Sequence, residues 1–394
     1  MSASYFYDAA VVGAGPAGVA AAVAAAKGGL RVVLIDAAAR LGGTVTAGLH
    51  RVLCGLYAGA PENPCDTLNA GVQRDLVARM VARDPAAVVV RQLGQVWVLE
   101  FPPTAWEGAL ADLCAEAQVT VRLGVPVTEV RRAGRRILAL YLKGQEPAWV
   151  AARAVIDCTG EGSILQMTGA DVLLPEIRAP RMLGGMAVGL GALQGDLEAL
   201  RLEIPYALAK AVEAGRLPVT ARFTLFHPGP GEGEGVCKLA LHPDEFSPER
   251  AAAFVERVLQ ILVKEIPALA AARVIEQSPR ALPRDGHHLR GRYILSESDI
   301  LTPRHHGLDA VRGWWPIEQW DLADGPVYAY PPPGEAYEIP DEALQSAILD
   351  NLYAAGNCLS ATPVAAASVR AAGICLATGD AAGRLAARLG ARRV

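Results

Sequence analysis

Two short stretches in the last third of the chain concentrate cationic side chains, RDGHHLRGRY from Arg284 and PRHH from Pro303. A guanidinium group binds a carboxylate through paired hydrogen bonds, and an imidazole transfers protons near neutral pH. We therefore expect Arg284 and Arg304 to bind a substrate carboxylate, and His287 and His305 to transfer a proton. A solvated, salt-bridged hairpin is the alternative interpretation of the same residues.

No metal site is expected from the histidine pairs in these stretches. Neighbouring side chains on a strand point to opposite faces of the sheet, and no set of cysteines and carboxylates accompanies the pairs. A glycine-rich run, HPGPGEGEG from His227, has phosphate-loop spacing but precedes a strand-like run, VCKLAL from Val236. It therefore predicts a hairpin turn, and we expect no second nucleotide-binding unit for NAD(P)H.

The N-terminal run combines a strand, a glycine turn and a helix in the order of a dinucleotide-binding unit. A short apolar strand precedes GAGPAG, and an alanine-rich helix and a second apolar strand then lead to Asp36. In such a unit the glycines permit the tight turn, the close approach of a pyrophosphate and close helix packing. The helix N-terminus binds phosphates, and Asp36 accepts hydrogen bonds from a ribose. The predicted phosphate-binding turn comprises Gly13, Gly15, Pro16, Ala17 and Gly18.

The residues after Asp36 resemble the D-x(3)-R-x-G-G-T continuation of flavoproteins with two dinucleotide-binding domains. In those proteins this loop passes the adenosine ribose and the pyrophosphate and continues towards the flavin. The resemblance implies FAD, with residues 44–57 along the isoalloxazine ring. It implies cofactor contacts by Ala37, Arg40, Gly42, Gly43 and Thr44. Cys54 lies in this stretch, where packing of a small side chain is favoured over a redox role.

The last fifty residues resemble the ending of the FAD-dependent oxidoreductases related to fumarate reductases and the glutathione-reductase superfamily. The matching runs are DNLYAAGNCLSAT from Asp350 and SVRAAGICLATGDAAG from Ser368, and VIDCTGEG from Val155 resembles the A-T-G motif of these proteins. The resemblance implies a long helix from Ser368 whose first turn donates N–H groups to reduced flavin. The implied cofactor contacts are Val127, Thr159, Gly160, Gly356, Asn357, Arg370, Gly373 and Ile374.

This chain departs from related hydroxylases at the last strand turn, where they carry Gly-Asp and it carries Gly356-Asn357. The Asn357 amide can still form a hydrogen bond with a ribityl hydroxyl. Arg370, just before the flavin-directed helix, is expected to contact either flavin or substrate, and an ordinary surface arginine is the alternative. In the resembling family, the arginine-rich segment lies between the cap and the flavin, which supports a substrate contact by the cationic cluster.

These patterns predict an α/β protein with a Rossmann-like FAD-binding domain, split in sequence, and an inserted α+β substrate-binding cap. The expected first part of the FAD-binding domain is residues 1–165, the cap is residues 166–310, and the chain returns to the FAD-binding domain at residues 311–394. Residues 58–100 are assigned to either the first part or the cap.

The segment between the nucleotide turn and the cap is expected to contain a helix and a sheet. Thr104 and Glu107 have the spacing of a capping box at the start of a predicted helix over residues 104–117. Apolar runs over residues 127–130, 137–143 and 149–152 predict a three-stranded meander.

Composition and charge narrow the class of protein. The formal net charge is −4, and the sequence shows no clustered basic face. We therefore do not expect a nucleic-acid-binding protein. Seven cysteines form no CxxC pair, and without a secretory leader they predict reduced thiols in the cytoplasm. The apolar run over residues 9–26 is long enough to span a membrane, but glycines and a proline interrupt it, so no membrane partner is expected.

We expect an enzyme with non-covalent FAD that transfers hydride between flavin N5 and a small organic substrate that carries a carboxylate. Two alternatives stay open, a flavin monooxygenase that uses NAD(P)H and O2, and an electron-transfer subunit without its own substrate. Whether NAD(P)H serves as a transient reductant and whether the protein forms a homodimer also stay open. The tryptophans and tyrosines of residues 314–337 are expected to pack in the core of the cap, with substrate stacking as the alternative.

Overall fold

The computed structural model describes residues 5–59, 64, 66–144, 148–175, 182–229, 231–307 and 309–391. Its strands, numbered in chain order, are β1 (Tyr5–Val12), β2 (Val32–Ile35), β3 (Val52–Leu53), β4 (Val89–Leu93), β5 (Val96–Glu100), β6 (Thr120–Arg122), β7 (Val127–Ala133), β8 (Arg136–Leu142), β9 (Trp149–Asp157), β10 (Gly184–Gly191), β11 (Leu225–Pro228), β12 (Gly235–Leu241), β13 (Arg273–Gln277), β14 (Val311–Gly313), β15 (Ile317–Asp321), β16 (Gly325–Ala329), β17 (Tyr337–Ile339) and β18 (Leu352–Ala354).

The α-helices are likewise numbered in chain order. They are α1 (Pro16–Lys27), α2 (Gly43–Ala47), α3 (Val72–Arg83), α4 (Pro103–Glu116), α5 (Ser163–Thr168), α6 (Leu200–Glu213), α7 (Pro248–Glu265), α8 (Glu297–Leu301), α9 (Pro363–Val369) and α10 (Ala372–Ala391). Short 3-10 helices are formed by Ala170–Val172, Val219–Phe223, Pro243–Glu245, Pro267–Leu269, Asp341–Leu344 and Gly356–Cys358.

The main sheet has the strand order β6-β2-β1-β9-β8-β7, and β18 also pairs with β9. The pairs β6–β2, β2–β1, β1–β9 and β9–β18 are parallel, whereas β9–β8 and β8–β7 are antiparallel. Strand β2 is buried along its whole length, as expected of a parallel strand covered on both faces. The sheet confirms the predicted Rossmann-like α/β fold, whose strands come from both ends of the chain.

Helices α1 and α10 pack closely against each other beside this sheet. A Cβ atom at Gly379 of α10 would lie 2.0 Å from the backbone oxygen of Ala17 in α1. A Cβ atom at Gly383, one turn later, would lie 2.3 Å from the oxygen of Ala21. The alanine-rich helix is therefore buried because a second helix of small residues covers it.

A second sheet lies in the region predicted as the cap, with the antiparallel order β11-β12-β10-β13. Helices α6 and α7 cover one face, to which β12 contributes Cys237, Leu239 and Leu241. Side chains alternate along a strand, so Lys238 points to the opposite face together with Val236 and Ala240. On that face Val236 packs with Leu49, and Ala240 packs with Trp320. The inner face of this sheet therefore contacts segments outside the sheet and its two helices.

The domain boundaries predicted from the sequence stay predictions. The β11-β12-β10-β13 sheet lies within residues 184–277, whereas Leu289 and Leu295 pack in the cores on either side of the main sheet. Within residues 58–100, β4 and β5 pair with each other, and β5 also pairs with β3.

Three details of the predicted secondary structure are wrong. Helix α4 begins at Pro103 with Pro102 as its N-cap and no side-chain cap, because Pro102 already has the extended backbone that precedes a helix. Thr104 therefore lies inside the first turn and forms no capping box with Glu107. The third strand of the meander continues without a break to Asp157. The long helix predicted from Ser368 begins at Ala372 instead, because Ser368 and Val369 form the end of a separate helix, α9.

Candidate cofactor and substrate site

The glycine turn after β1 is packed too tightly for side chains. A Cβ atom at Gly13 would lie 2.3 Å from the backbone oxygen of Cys158, at the end of β9. A Cβ atom at Gly18 would lie 1.6 Å from the backbone oxygen of Gly13. Helix α1 therefore begins directly on the ends of two parallel strands, where a ligand can approach its N-terminus.

The carboxylate of Asp36 lies beside the same turn. Its two oxygens accept hydrogen bonds from the backbone N–H groups of Ala14 and Ala38. The N–H of Gly42 donates to the oxygen of Ala14 at 2.8 Å, and a Cβ atom at Gly43 would lie 2.7 Å from the Cα of Gly15. The structure thus brings the predicted GGT segment and the predicted ribose acceptor to the turn.

Asn357 brings the last part of the chain to this end of the sheet. It lies in the 3-10 helix after β18, and its Nδ2 donates to the backbone oxygen of Gly160 at 2.8 Å. Its Oδ1 is buried and has no hydrogen-bond partner among the residues that the structure describes. Gly160 has a φ of +79°, and no atom lies within 4 Å of the position that a Cβ would take. Gly160 and Asn357, from two distant segments, therefore lie together beyond the ends of β9 and β18, in the region here called the cofactor cleft.

These residues fit an FAD molecule. Helix α1 has Gly15 as its N-cap and no side-chain cap, so its N-terminal N–H groups are available to a pyrophosphate. The buried Oδ1 of Asn357 needs a donor, and a ribityl hydroxyl is one. The oxygens of Asp36 accept one backbone hydrogen bond each, which leaves lone pairs for a ribose.

The N-terminus of α10 contacts residues 54–55, which belong to the segment predicted to lie along the flavin ring. The N–H of Gly373 donates to the oxygen of Cys54 at 2.8 Å, and Gln73 Nε2 donates to the oxygen of Gly373 at 2.8 Å. A Cβ atom at Gly373 would lie 2.5 Å from the backbone of Gly55. Close backbone packing therefore explains why residue 373 is a glycine. The same contact places residues 54–55 at the start of α10. Ile374 is buried there, against Gly55.

The β11-β12-β10-β13 sheet is here called the cap sheet. A group of polar side chains, here called the chamber residues, lies between its inner face and residues 50–54. Lys238 Nζ lies 2.8 Å from Nδ1 of His50. The guanidinium of Arg284 lies 3.8 Å above the ring of Trp320 and donates to the oxygen of Leu183 at 2.7 Å. Electrostatic interactions connect the members of the group. The chamber residues are His50, Cys54, Lys238, Arg284, Glu318 and Tyr328.

Arg370 joins the chamber to the α9–α10 junction. Its guanidinium donates to the backbone oxygen of Arg284 at 2.9 Å and to that of Glu318 at 2.6 Å. The side chain of Glu318 accepts hydrogen bonds from the indole N–H groups of Trp315 and Trp320, at 3.2 Å and 2.6 Å. The chamber therefore adjoins the start of α10, where the flavin ring is expected.

The chamber carries more positive than negative charge. Burial, and then the charge of Arg370, lower the pKa of Arg284 to about 9. Burial lowers the pKa of Lys238 to about 8, and Arg284 adds to the effect. Burial and the charge of Lys238 hold the pKa of His50 well below its ordinary value, so His50 is neutral near pH 7. Lys238 and Arg284 nevertheless keep some exposed surface, as expected of groups that line a cleft.

The residues predicted as catalytic are divided between two places. Arg284 lies in the chamber, and the N–H of His287 donates to the oxygen of Glu161 at 3.0 Å, beside the cofactor cleft. His305 has 96% of its side chain exposed and lies 3.2 Å from Glu338. Arg304 is also exposed. Helix α8 separates the two cationic stretches, so the structure does not bring Arg304 and His305 to Arg284, and their roles stay predictions.

The remaining predicted cofactor residues lie around the cleft in different environments. Arg40 pairs with Glu107 and with Glu276, so its guanidinium contacts protein carboxylates. Thr159 donates to Asp157 Oδ1 at 2.7 Å and shapes the turn after β9. The others are placed by their elements: Ala37 follows β2, Thr44 is exposed in α2, Val127 is buried at the start of β7, and Gly356 begins the 3-10 helix after β18.

Cys54, Arg284 and Tyr328 were singled out from the sequence, but the other three chamber residues were missed. Lys238 was passed over as part of a strand, and His50 and Glu318 were not singled out. One signal was present in GVCKLAL, in which a lone lysine interrupts an otherwise apolar strand.

The aromatic residues of the stretch 314–337 differ in their burial. Trp314, Trp320 and Tyr337 are buried, whereas Tyr328 and Tyr330 are exposed, with Tyr328 at the chamber.

None of the helices among the described residues is long and apolar enough to cross a membrane. No group of three or more potential metal-ligating side chains occurs among those residues either. The comparison with curated proteins yields no match.

Several solved structures resemble this chain at low identity. A geranylgeranyl bacteriochlorophyll reductase-like protein from Thermoplasma acidophilum has 13% identity and a TM-score of 0.46, over 98% of this chain and 78% of that one. L-proline dehydrogenase from P. horikoshii has 12% identity and a TM-score of 0.45, over 99% and 94%. The anhydrotetracycline hydroxylase OxyS from Streptomyces rimosus has 15% identity and a TM-score of 0.47, over 73% and 54%.

A protein-family model matches most of the sequence. Its description is FAD dependent oxidoreductase, and the matched residues are 8–180 and 217–394. The two matched segments include the glycine turn, the end of β9, the chamber and α10.

Proposed function

This chain belongs to the FAD dependent oxidoreductase family, and from that premise we propose that the enzyme exchanges hydride with a small organic substrate that carries a carboxylate. FAD is the cofactor, and its isoalloxazine N5 accepts or donates the hydride when FAD is bound. The chain's own residues have to bind the substrate, orient it and exclude water. The chamber residues are the best candidates for these tasks.

The main support for the proposal is the desolvated guanidinium of Arg284. Its guanidinium is desolvated by the surrounding protein, which lowers its pKa, yet it forms no ion pair with a carboxylate of the residues that the structure describes. A desolvated charge is unfavourable unless an opposite charge and hydrogen bonds compensate for it. The planar fork of an arginine matches a carboxylate, so a bound carboxylate is a fitting partner.

The balance of charge around Arg284 supports an anionic ligand. Lys238, Arg284 and Arg370 contribute cations. Glu318 contributes a carboxylate that interacts with both arginines, and Asp285 contributes one that interacts with Arg370. Both oxygens of Glu318 are held by indole N–H groups, which fixes the carboxylate in place. Two carboxylates do not neutralise three cations, so the excess positive charge favours an anionic ligand in the chamber.

The lining of the chamber favours a small ligand. Ala187 of β10 is paired with Lys238, and Ala240 follows two residues later on the same face of the cap sheet. Small side chains therefore flank the lysine on the face of the sheet that lies opposite α6 and α7. The ring of Trp320 keeps the Arg284 guanidinium in one plane, which orients a carboxylate bound to it.

Anaerobic mixing of the FAD-loaded enzyme with small carboxylates tests the proposal. We expect the visible flavin band to bleach with some 2-hydroxy or 2-amino acids and not with their methyl esters. Arg284→Gln removes the guanidinium and its charge-assisted hydrogen bonds, which are worth about 1.5–3 kcal/mol each. The substrate concentration at half-maximal bleaching rate should therefore rise about 10- to 100-fold.

Arg222→Gln is the matched control. Arg222 also donates to a backbone oxygen, that of Ala323 at 2.7 Å, and lies 4.8 Å above the ring of Phe223, but it is exposed. This variant should bleach like the unchanged enzyme. Bleaching by esters as readily as by acids would refute the proposal. Bleaching by NAD(P)H alone, followed by substrate-dependent oxygen uptake, would replace it with a monooxygenase.

A further inference from the structure

Lys238 and His50 form a contact that carboxylate binding leaves unexplained. Lys238 is a lysine in the middle of the inner face of the cap sheet, and its Nζ lies 2.8 Å from Nδ1 of His50. A lysine ammonium only donates hydrogen bonds, so Nδ1 of His50 is the acceptor and its ring proton is on Nε2. The histidine therefore holds the lysine nitrogen in one position without adding a charge.

We propose that Lys238 is the catalytic base and acid of this enzyme, which exchanges a proton with a hydroxyl or amino group on the substrate, and that His50 positions it. This inference rests on the proposed function, and it narrows the substrate class to carboxylates with a hydroxyl or amino group on the carbon that is oxidised. Such a substrate has two hydrogens to lose, one bound to carbon and one bound to oxygen or nitrogen.

The step balances without a further reactant. In the oxidative direction, the C–H bond breaks and its electron pair leaves with the hydrogen as hydride to the bound FAD, which is reduced. The O–H or N–H bond also breaks, its proton passes to the neutral amine of Lys238, and a C=O or C=N bond forms. The ammonium of Lys238 then releases this proton to solvent. In the reductive direction, the same ammonium donates the proton to the substrate.

The division of roles among the cations follows from their chemistry. An arginine keeps its proton at any physiological pH and suits a permanent anion such as a carboxylate. A lysine loses its proton readily when it is desolvated and surrounded by other cations. Lys238 forms no ion pair with a carboxylate of the described residues. The titratable and charged groups that face it are His50, Arg51, Cys54, His227 and Arg284.

The expected pH dependence follows from this environment. Burial lowers the pKa of Lys238 to about 8, so the neutral amine forms above about pH 8 instead of above pH 10. The rate of anaerobic flavin bleaching by a 2-hydroxy acid should therefore rise with pH through about 8 and then level off. Removal of a catalytic base typically lowers a rate about 10²- to 10⁴-fold. Lys238→Met should thus bleach at least about 100-fold more slowly and without the pH-dependent rise.

A second measurement observes the lysine without any substrate. The chain has five lysines, so [¹³C]lysine NMR of the FAD-loaded protein gives few signals, and the one missing from Lys238→Met identifies Lys238. Its signal should titrate near pH 8, well below the ordinary range of a lysine. His50→Leu removes the acceptor that stabilises the ammonium and should lower this midpoint. His50→Asn keeps an acceptor oxygen, so its midpoint and its bleaching rate should match those of the unchanged enzyme. Lys210→Met, at an exposed lysine of α6, is the control.

The outcomes separate this inference from the proposed function. Bleaching of the unchanged enzyme by a hydroxy or amino acid, with a rate that follows the Lys238 titration, supports the inference. A Lys238 signal that titrates with the other lysines, or equal bleaching rates in Lys238→Met and the unchanged enzyme, would overturn the inference alone. Bleaching of the unchanged enzyme only by carboxylates without a hydroxyl or amino group would also overturn the inference alone. Failure of every carboxylate tested to bleach the unchanged enzyme would overturn the proposed function and this inference with it.

Discussion

The contact between α1 and α10 gives a sharp prediction about a single methyl group. Gly379 lies in the middle of α10, and a Cβ atom there would be 2.0 Å from the oxygen of Ala17 and 2.7 Å from its carbonyl carbon. Both atoms belong to the backbone of α1, so no side chain can rotate out of the way. In Gly379→Ala the two helices must separate by about 1.5 Å to reach an ordinary contact distance of about 3.5 Å.

Two opposing terms set the magnitude of this effect. Alanine is more favourable than glycine in a helix interior by about 1 kcal/mol. Overpacking in a tight interior is unfavourable by about 1–3 kcal/mol, and it is larger where backbone is the obstacle. We expect a net loss of about 1–2 kcal/mol in the free energy of unfolding. Because Ala17 lies in the first turn of α1, the helix end that binds the pyrophosphate also moves, and the Kd for FAD should rise about 10-fold, or about 1.4 kcal/mol.

Urea unfolding of the apoprotein and fluorescence titration with FAD measure the two effects. Gly108→Ala is the matched control, since Gly108 lies inside α4 and its added Cβ would meet the guanidinium end of Arg83, at 2.5 Å. That flexible side chain can move, so this variant should be unchanged or more stable by up to about 1 kcal/mol. A Gly379→Ala protein that is as stable as the unchanged protein and binds FAD equally well would refute the packing argument.

Two further predictions concern the cofactor cleft and the dependence of stability on pH. Asn357→Ala removes the buried acceptor Oδ1 and should raise the Kd for FAD about 10-fold in a fluorescence titration, as expected for one hydrogen bond of about 1–1.5 kcal/mol. Asn69→Ala should leave the Kd unchanged, because the side chain of this half-buried asparagine forms its hydrogen bonds with the backbone of Arg312. Equal Kd values for the two variants would contradict the assignment. Burial and Lys238 lower the pKa of His227 to about 4, so between pH 4 and 6.5 the unfolded chain binds more protons than the folded protein. The free energy of unfolding should therefore fall as the pH drops from 6.5 to 4, and His227→Asn should reduce this slope by at most about 1.4 kcal/mol per pH unit; an unchanged slope would show that His227 does not titrate in this way.

Local patterns were sufficient to predict the nucleotide turn. The apolar strand, the glycines at fixed spacing and the acid after the second strand each specify a local conformation, and these conformations agree with one another. The return of the last residues to the FAD-binding domain was predicted only through the resemblance, and the pairing of the last strand with β9 was not predicted. A three-residue strand such as Leu352–Ala354 has too little pattern of its own to indicate its partner.

The chamber could not be predicted because it depends on which face of a strand meets which loop. The alternation in β12 shows that Lys238 and Cys237 point to opposite sides, but it does not show which side α6 and α7 cover. His50 lies 188 positions away from Lys238 in sequence, and no local pattern joins them. The break between α9 and α10 was missed for a similar reason, since the helix propensity of an alanine-rich run does not reveal that the chain turns at Arg370.

Strand β9 has a consequence for how the enzyme is made. Its first half pairs with β8, which precedes it in the chain, but its second half awaits β18, nearly two hundred residues further on. The acceptor of Asn357 and the helix that covers α1 come from the same late segment. A nascent chain can thus form the glycine turn early, yet it can enclose the flavin only after translation has passed α10. The fold therefore predicts that FAD is loaded late in the biogenesis of this protein.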